Sequence, residues 1–554
     1  MSNAAVSLRA FLLVLSVVGL GFCQPMHVYP IANFIEELLV AIGVLLIGGM
    51  LLWRSDRLQV SAWLMMWTVL GVLFAVSAWL HPAVMVSHQL MVGAFWFIGL
   101  LALLIGDQLD WQHDGERLSY WLAIALLSIA LVCAIGGFLR YYGLLGATWR
   151  AYVPEPDTGR LTGLVGQSNF FAFISFFGLL ALGWLHNARR VSMWLVLLSV
   201  LVLVPAIAGT GSRAVLVTWV ASIVVLLWRS KVAGAQRWFL FMMATFVFYW
   251  AFRPVYYAFD HWFYGVVFKL GWVGGAGTLG SDVLARGAVS PQRLNEWRTA
   301  LEIIQQHVWT GIGIGNYSIS SFQQHLRAND PSTSGLFSHS HNSPLQLVIE
   351  LGMAGLLWVL VFAGLAVRAF WRASRELNRL LPLLVVLTIQ LYGMFEFPMW
   401  MMHFLTLNMV LLGALGGVKK TVPLTLGKPF AITLLAVALM FSLIYVPVAE
   451  RFVWSYRQMF LRAEVDRSEY AFINSMMQDP LMEPYGYLLY FANYNLSPTS
   501  LQSEREALDR LEKTLPYPQV LVRSSLVHMA QGNEAKAQSV LADMRLFYGV
   551  AYEY

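Results

Sequence analysis

Two histidines, His339 and His341, stand in Phe337-Ser-His-Ser-His-Asn-Ser-Pro344, where a long polar segment gives way to an apolar run. Imidazole takes and releases protons near neutrality, so a histidine at such an edge suits the removal of a proton from an attacking hydroxyl. The two-residue spacing does not match the i, i+4 pair that holds zinc on a helix. No Asp-x-Asp pair occurs anywhere in the chain, so no metal site and no cofactor is expected. The same residues also read as a helix start, since Asn342-Ser343-Pro344 puts a proline in the first turn.

Without a cation, a phosphate leaving group needs arginine, whose planar fork stays charged and grips two oxygens at once. The candidates are Arg160, ahead of Leu-Thr-Gly-Leu-Val-Gly-Gln167-Ser-Asn169; Arg213, in Gly209-Thr-Gly-Ser-Arg; and Arg293 and Arg298, in Pro291-Gln-Arg-Leu-Asn-Glu-Trp-Arg. Arg213 lies in a short glycine turn between two apolar runs, where an ionised side chain is a functional candidate by default. A snorkelling arginine at a helix end fits that position too. Glu350 and Glu396 interrupt apolar stretches, and carboxylates at that depth are costly unless paired, so arginines on neighbouring helices are their expected partners.

The elements that must position these groups are membrane helices. Of 554 residues 58% are hydrophobic and 12% charged, against about 25% charged in soluble domains, and the mean hydropathy is +0.63. Apolar runs fall at roughly 6–24, 34–53, 59–80, 88–106, 119–139, 168–186, 191–209, 213–228, 237–256, 344–367, 380–395, 398–417 and 429–447. Each approaches the length a helix needs to cross the hydrocarbon core, and the short alternating segments of a β-barrel are absent. The expected fold is an all-α polytopic integral membrane protein with about thirteen transmembrane helices. The first run lacks a small-x-small cleavage pattern before Cys23-Gln24-Pro25 and reads as an uncleaved span. Cys23 and Cys133 lie in apolar runs and outline no disulfide framework. The pI near 9.2 reflects basic loops and points to no nucleic acid.

Arg54, Arg57, Arg189, Arg190, Arg229, Lys231, Arg237, the arginines from 368 to 379, and Lys419, Lys420 and Lys428 fall on one side if the spans alternate. The positive-inside bias makes that side cytoplasmic. Three segments then lie outside: 140–167 with Arg140, Arg150 and Arg160; a long loop, about 257–343, carrying the histidines; and the tail. The chain divides into a transmembrane unit, 1–447, and a C-terminal helical unit, 448–554. Amphipathic helices such as 504–513 and 531–541 give the latter a repeat-type, TPR-like look.

In order along the chain stand Arg160-Leu-Thr-Gly…Gln167-Ser-Asn169, Ser212-Arg213, Arg293…Trp297…Gly311-Ile-Gly-Ile-Gly-Asn316 and His339-Ser-His-Asn…Glu350-Leu-Gly…Gly355. This series resembles the O-antigen ligase and polymerase superfamily of bacterial inner-membrane enzymes, over roughly 160–415. The later Phe395-Glu-Phe-Pro-Met-Trp400 resembles the Glu-aromatic-Pro-Leu-Trp signature of the PglL-type protein O-oligosaccharyltransferases, with Met399 in place of leucine. The tail is similar to that branch as well.

The resemblance implies metal-independent transfer of a glycan from an undecaprenyl-diphosphate carrier, with the active site facing the periplasm. His341 resembles the histidine that activates the acceptor, and Arg160, Arg213 and Arg293 resemble residues that hold the diphosphate. His339 and Asn342 would shape the site, with Gln167, Asn169, Glu350 and Glu396 in support. Ser or Thr of a pilin-like protein is the implied acceptor. A lipid A core sugar (O-antigen ligase) and a second carrier-linked glycan (polymerase) suit the same donor machinery. A flippase for lipid-linked glycans is the alternative of another class, since arginines and broken helices at membrane depth suit transport too.

Overall fold

The computed structural model describes residues 3–27, 34–146, 160–273, 291–331, 335–417, 419–461, 467–493 and 500–549. Arg150 lies outside them. Among the described residues ten helices are long and apolar enough to cross a membrane, and three shorter apolar helices account for the other expected runs. In chain order the first group is α1 (Asn3–Cys23), α2 (Phe34–Arg54), α3 (Ala62–Leu80), α4 (Ser87–Asp107), α5 (Gly115–Tyr141), α6 (Ser168–Asn187), α7 (Met193–Thr210), α8 (Ala214–Ala233) and α9 (Gln236–Lys269). Two polar helices follow, α10 (Pro291–Gln306) and α11 (Tyr317–Ala328), then the apolar α12 (Ser343–Ala373), α13 (Leu377–Tyr392), α14 (Met402–Leu415) and α15 (Gly427–Leu461). The chain is an all-α, multi-pass membrane protein.

Helix α6 is the centre of the bundle. Every residue from Phe170 to Leu185 is buried, as expected of a helix that is apolar all round. Helices α5, α7, α9 and α13 pack about it. Lipid tails are as apolar as leucine, so this association rests on close packing rather than on escape from water. Cys23 of α1 and Cys133 of α5 meet here as free thiols, with 3.8 Å between sulfurs.

Two boundaries differ from the sequence reading. Helix α9 runs on to Lys269, thirteen residues past the expected end at 256, so the outer loop begins later than 257. Asp260 looks like a span terminator but is fully buried. It accepts hydrogen bonds from Tyr142 Oη at 2.7 Å and Tyr141 Oη at 3.4 Å, which satisfy it inside the helix pack. Helix α15 likewise continues through 447 to Leu461 without a break there.

The tail is five helices, α16 (Arg467–Gln478), α17 (Glu483–Asn493), α18 (Leu501–Leu511), α19 (Pro518–Ala530) and α20 (Glu534–Tyr548). Its last helix packs on α11, where the rings of Phe322 and Phe547 lie 4.8 Å apart. Within the tail Arg523 grips Glu504 through Nε at 2.6 Å and Nη2 at 2.8 Å, with both side chains buried. Removing one partner of a buried pair leaves an uncompensated charge, at a cost of about 3–5 kcal/mol. Arg523→Ala is therefore expected to unfold the tail selectively, which limited proteolysis would show as cleavage after 461 with the membrane helices intact.

Candidate functional site

Five elements bring polar groups together at one end of the bundle. Helix α6 begins there, its first turn capped by Gln167, whose side chain accepts from Phe170 N at 2.8 Å. Helix α7 ends there at Thr210, α13 leads into the turn that carries Glu396, α10 supplies Arg293, and α12 begins at the histidines.

Glu396 is the hub, with its side chain only 2% exposed. One carboxylate oxygen pairs with Arg293 Nη2 and accepts from Asn169 Nδ2 at 2.7 Å. The other lies 3.1 Å from His341 Nδ1. Asn169 in turn accepts from Arg160 Nη2 at 3.4 Å, and Arg160 Nε donates to the Thr210 carbonyl at 2.6 Å. The result is a continuous chain from Arg160 through Asn169 and Glu396 to His341 and Arg293. Three partners on one buried carboxylate hold it in place.

The histidines differ within this frame. His341 adopts φ +52°, a left-handed conformation uncommon for a side-chain-bearing residue, and such strain concentrates at functional sites. The next residue, Asn342, is extended and caps α12 by accepting from Leu345 N at 3.0 Å. That reversal sets the His341 ring against Glu396. With Nδ1 held by the carboxylate, Nε2 is the nitrogen left to take a proton, the arrangement that orients a general base. His339 packs its ring on Phe397, with centroids 3.8 Å apart. Burial, with His341 adding to it, pushes its imidazole well below the usual histidine range and keeps it neutral.

A glycine loop braces the start of α12. The helix breaks at Gly352 (φ +60°, ψ −137°), and the segment 308–315 satisfies the backbone groups that the break releases. Ile312 N donates to Ile349 O at 3.0 Å, Gly313 N to Glu350 O at 3.1 Å, and Met353 N to Val308 O at 2.8 Å. A Cβ on Gly311, itself at φ +68°, would sit 2.4 Å from the Glu350 carbonyl carbon. Gly311→Ala is thus expected to destabilise the fold by about 1–3 kcal/mol, read as a lowered thermal midpoint in detergent.

Comparison with known families bears on this geometry. A family model described as O-antigen ligase matches residues 199–360. A second, described as the C-terminal part of the membrane-bound polymerase virulence factors, matches residues 380–554. Both matches support placing the chain with the O-antigen ligase superfamily. The matches support a membrane glycosyltransferase of the ligase and polymerase kind. No curated protein matches the chain. The first match takes in Arg213, Arg293, His341 and Glu350, and the second begins ahead of Glu396 and runs through the tail.

Among the superfamily candidates, the structure unites Arg160, Asn169, Arg293, His339, His341 and Glu396 in one cluster, flanked by the caps Gln167 and Asn342. Arg213 opens α8 three residues past Thr210, partly buried. Arg298 is not in the cluster. It lies on the exposed face of α10 and pairs with Glu302 at 3.1 Å.

Glu350 departs from expectation as well. No arginine among the described residues pairs with it; it accepts from Gly315 N and from Gln346 Nε2, each at 3.0 Å. The Gln346 side-chain oxygen Oε1 accepts from Ser340 N at 2.8 Å, so Glu350 supports the histidine turn indirectly. Trp297 adds a second support, donating from Nε1 to the Ser340 carbonyl at 3.1 Å. Sequence reasoning passed over Gln346, Phe397 and the Thr210 carbonyl. Gln346 was findable, because it precedes Glu350 by one helical turn; a backbone carbonyl such as that of Thr210 leaves no mark on sequence.

Proposed function

We propose that this chain transfers an oligosaccharide en bloc from an undecaprenyl-diphosphate carrier to Ser or Thr hydroxyls of a periplasmic protein such as a pilin. The contact between His341 Nδ1 and Glu396, inside a cluster that also holds two arginines, is the observation that carries this reading. The acceptor hydroxyl gives its proton to His341 Nε2 as its oxygen attacks the anomeric carbon. The new C–O bond forms as the bond to phosphate breaks, with inversion, and the electron pair leaves on the carrier diphosphate. The proton taken up by His341 lies on a ring whose other nitrogen is 3.1 Å from the Glu396 carboxylate, which favours the imidazolium. Arg160, Arg213 and Arg293 face the growing charge on the diphosphate, an effect worth several kcal/mol when the donors are preorganised.

The crowding of basic residues at the opposite helix ends supports a periplasmic site in the inner membrane. For the acceptor, the support is the likeness of Phe395–Trp400 and of the helical tail to the PglL-type branch. The polymerase wording of the second family match favours one further reading, in which the acceptor is the end of another carrier-linked glycan. Purified protein supplied with a lipid-linked glycan and, separately, with pilin, lipid A core and carrier-linked glycan separates these. Intact-mass analysis is expected to show the added glycan on pilin; addition only to one of the other two would overturn the protein-acceptor reading and leave the donor half standing.

A further inference from the structure

Two of the helices that reach the His341 cluster, α12 and α13, help to enclose a polar cavity at their other ends, together with α2, α3, α4 and α14. It measures about 1270 Å³, above the roughly 300–1,000 Å³ of ordinary small-molecule sites. Its frame includes an antiparallel clasp between the strands Arg57–Val60 and Lys420–Pro423, which ties the start of α3 to the approach to α15. Six cations converge on it: Arg54, Arg57, Arg368, Arg372, Arg379 and Lys419.

Four carboxylates also line it, Asp56, Asp107, Asp110 and Asp114, too few for balance. Two of these are already engaged. Asp107 Oδ2 accepts from Ser61 N at 2.9 Å, and Asp110 holds His113 at 2.6 Å. Arg54, Arg57, Arg368 and Arg372 are exposed to the cavity and make no ion pair with a described residue. Positive-inside bias accounts for cations on this side, but not for burying one of them in the cavity wall. Arg379 is 8% exposed, and its Nε has no partner among the described residues. Its other nitrogens reach only Glu376 at 3.6 Å and the Leu415 carbonyl at 3.5 Å. Lys419 donates to the carbonyls of Asp107 and Leu109 at 2.7 and 2.9 Å, and burial brings its ammonium down to about 8.

Besides polar residues such as Gln59, Gln108 and Gln112, the wall has an apolar part, with Trp63, Leu365, Ala369 and Leu415 beside the cations. A fully hydrated ion would gain nothing from that surface. A phosphate carrying acyl chains would use both parts, placing its charge against the guanidinium groups and its first methylenes against the apolar wall. We propose that this cavity binds the head group of an anionic membrane phospholipid, with Arg368 and Arg372 contacting the phosphate and Arg379 behind it. A lipid there would brace α12 at the end opposite His341. The proposal does not depend on the identity of the glycan donor or acceptor.

Native mass spectrometry of the purified full chain tests it, with phosphatidylglycerol and phosphatidylcholine offered at equal concentration. Retention of phosphatidylglycerol over phosphatidylcholine by roughly tenfold or more is expected, each near-surface cation being worth about fivefold. The double variant R368Q/R372Q, at two exposed positions, is expected to lose that preference while keeping the wild-type thermal midpoint. Millimolar inorganic phosphate is expected to leave the bound lipid in place. Equal retention of the two lipids by the wild-type protein, undiminished preference in the variant, or displacement by inorganic phosphate would each overturn the proposal, the last by making the site one for free anions.

Discussion

His341→Ala is expected to lower the turnover number for glycan transfer roughly 10²–10⁴-fold, the range a positioned general base supplies, with donor affinity retained. The arginines proposed to hold the diphosphate are untouched by the change, so binding and chemistry should separate. His339→Ala serves as the contrast. Its ring is packed on Phe397 and held neutral by burial, so its loss should disturb the His341 turn and cost less in turnover. Wild-type turnover in His341→Ala, measured by intact mass of the acceptor over time, would remove the base role from this residue.

Glu396→Gln is expected to have an effect of similar size for a different reason. The carboxylate fixes the His341 ring and stabilises the imidazolium; an amide of the same shape does only part of the first and none of the second. In a serine-protease triad the equivalent exchange costs roughly 10⁴ in turnover. Glu396 also neutralises Arg293 at a site where the carboxylate is 2% exposed, so the variant loses stability as well, by up to about 3–5 kcal/mol. A double-mutant cycle separates the two roles. Arg293→Gln combined with Glu396→Gln should recover thermal stability, because no unpaired charge remains, but should not recover turnover. Recovery of both together would reduce Glu396 to a structural counter-ion.

Much of this arrangement was legible in the amino-acid order. The thirteen apolar runs became thirteen apolar helices, because helices are the economical way for a single chain to satisfy its backbone in lipid. The rule that buried carboxylates need partners anticipated the Glu396–Arg293 pair. It failed for Glu350, whose partners are a backbone amide and Gln346. Backbone donors carry no side-chain signature, so nothing in Gly311-Ile-Gly-Ile-Gly315 indicates which carboxylate its amides would meet. Arg298 was grouped with Arg293 by proximity in sequence. Five residues apart on one helix, however, they point about 140° away from each other, so one reaches Glu396 and the other faces outward.

The link between Asn169 and Glu396 spans 227 residues, and no periodicity predicts a contact between helices so distant in the chain. The length of α9 was also hidden, because the polarity of Asp260 reads as a span end until the two tyrosines that satisfy it are seen.

The central claim is that the Arg160–Asn169–Glu396–His341 chain couples departure of the carrier diphosphate to attack by the acceptor. The most direct measurement uses a donor labelled separately in glycan and carrier, and follows both labels in one reaction with wild-type protein and with His341→Ala. The account predicts one carrier diphosphate released for each glycan joined to acceptor, both slowed together in the variant. Carrier released without glycan transfer in the wild-type protein, or transfer undiminished in the variant, would contradict it.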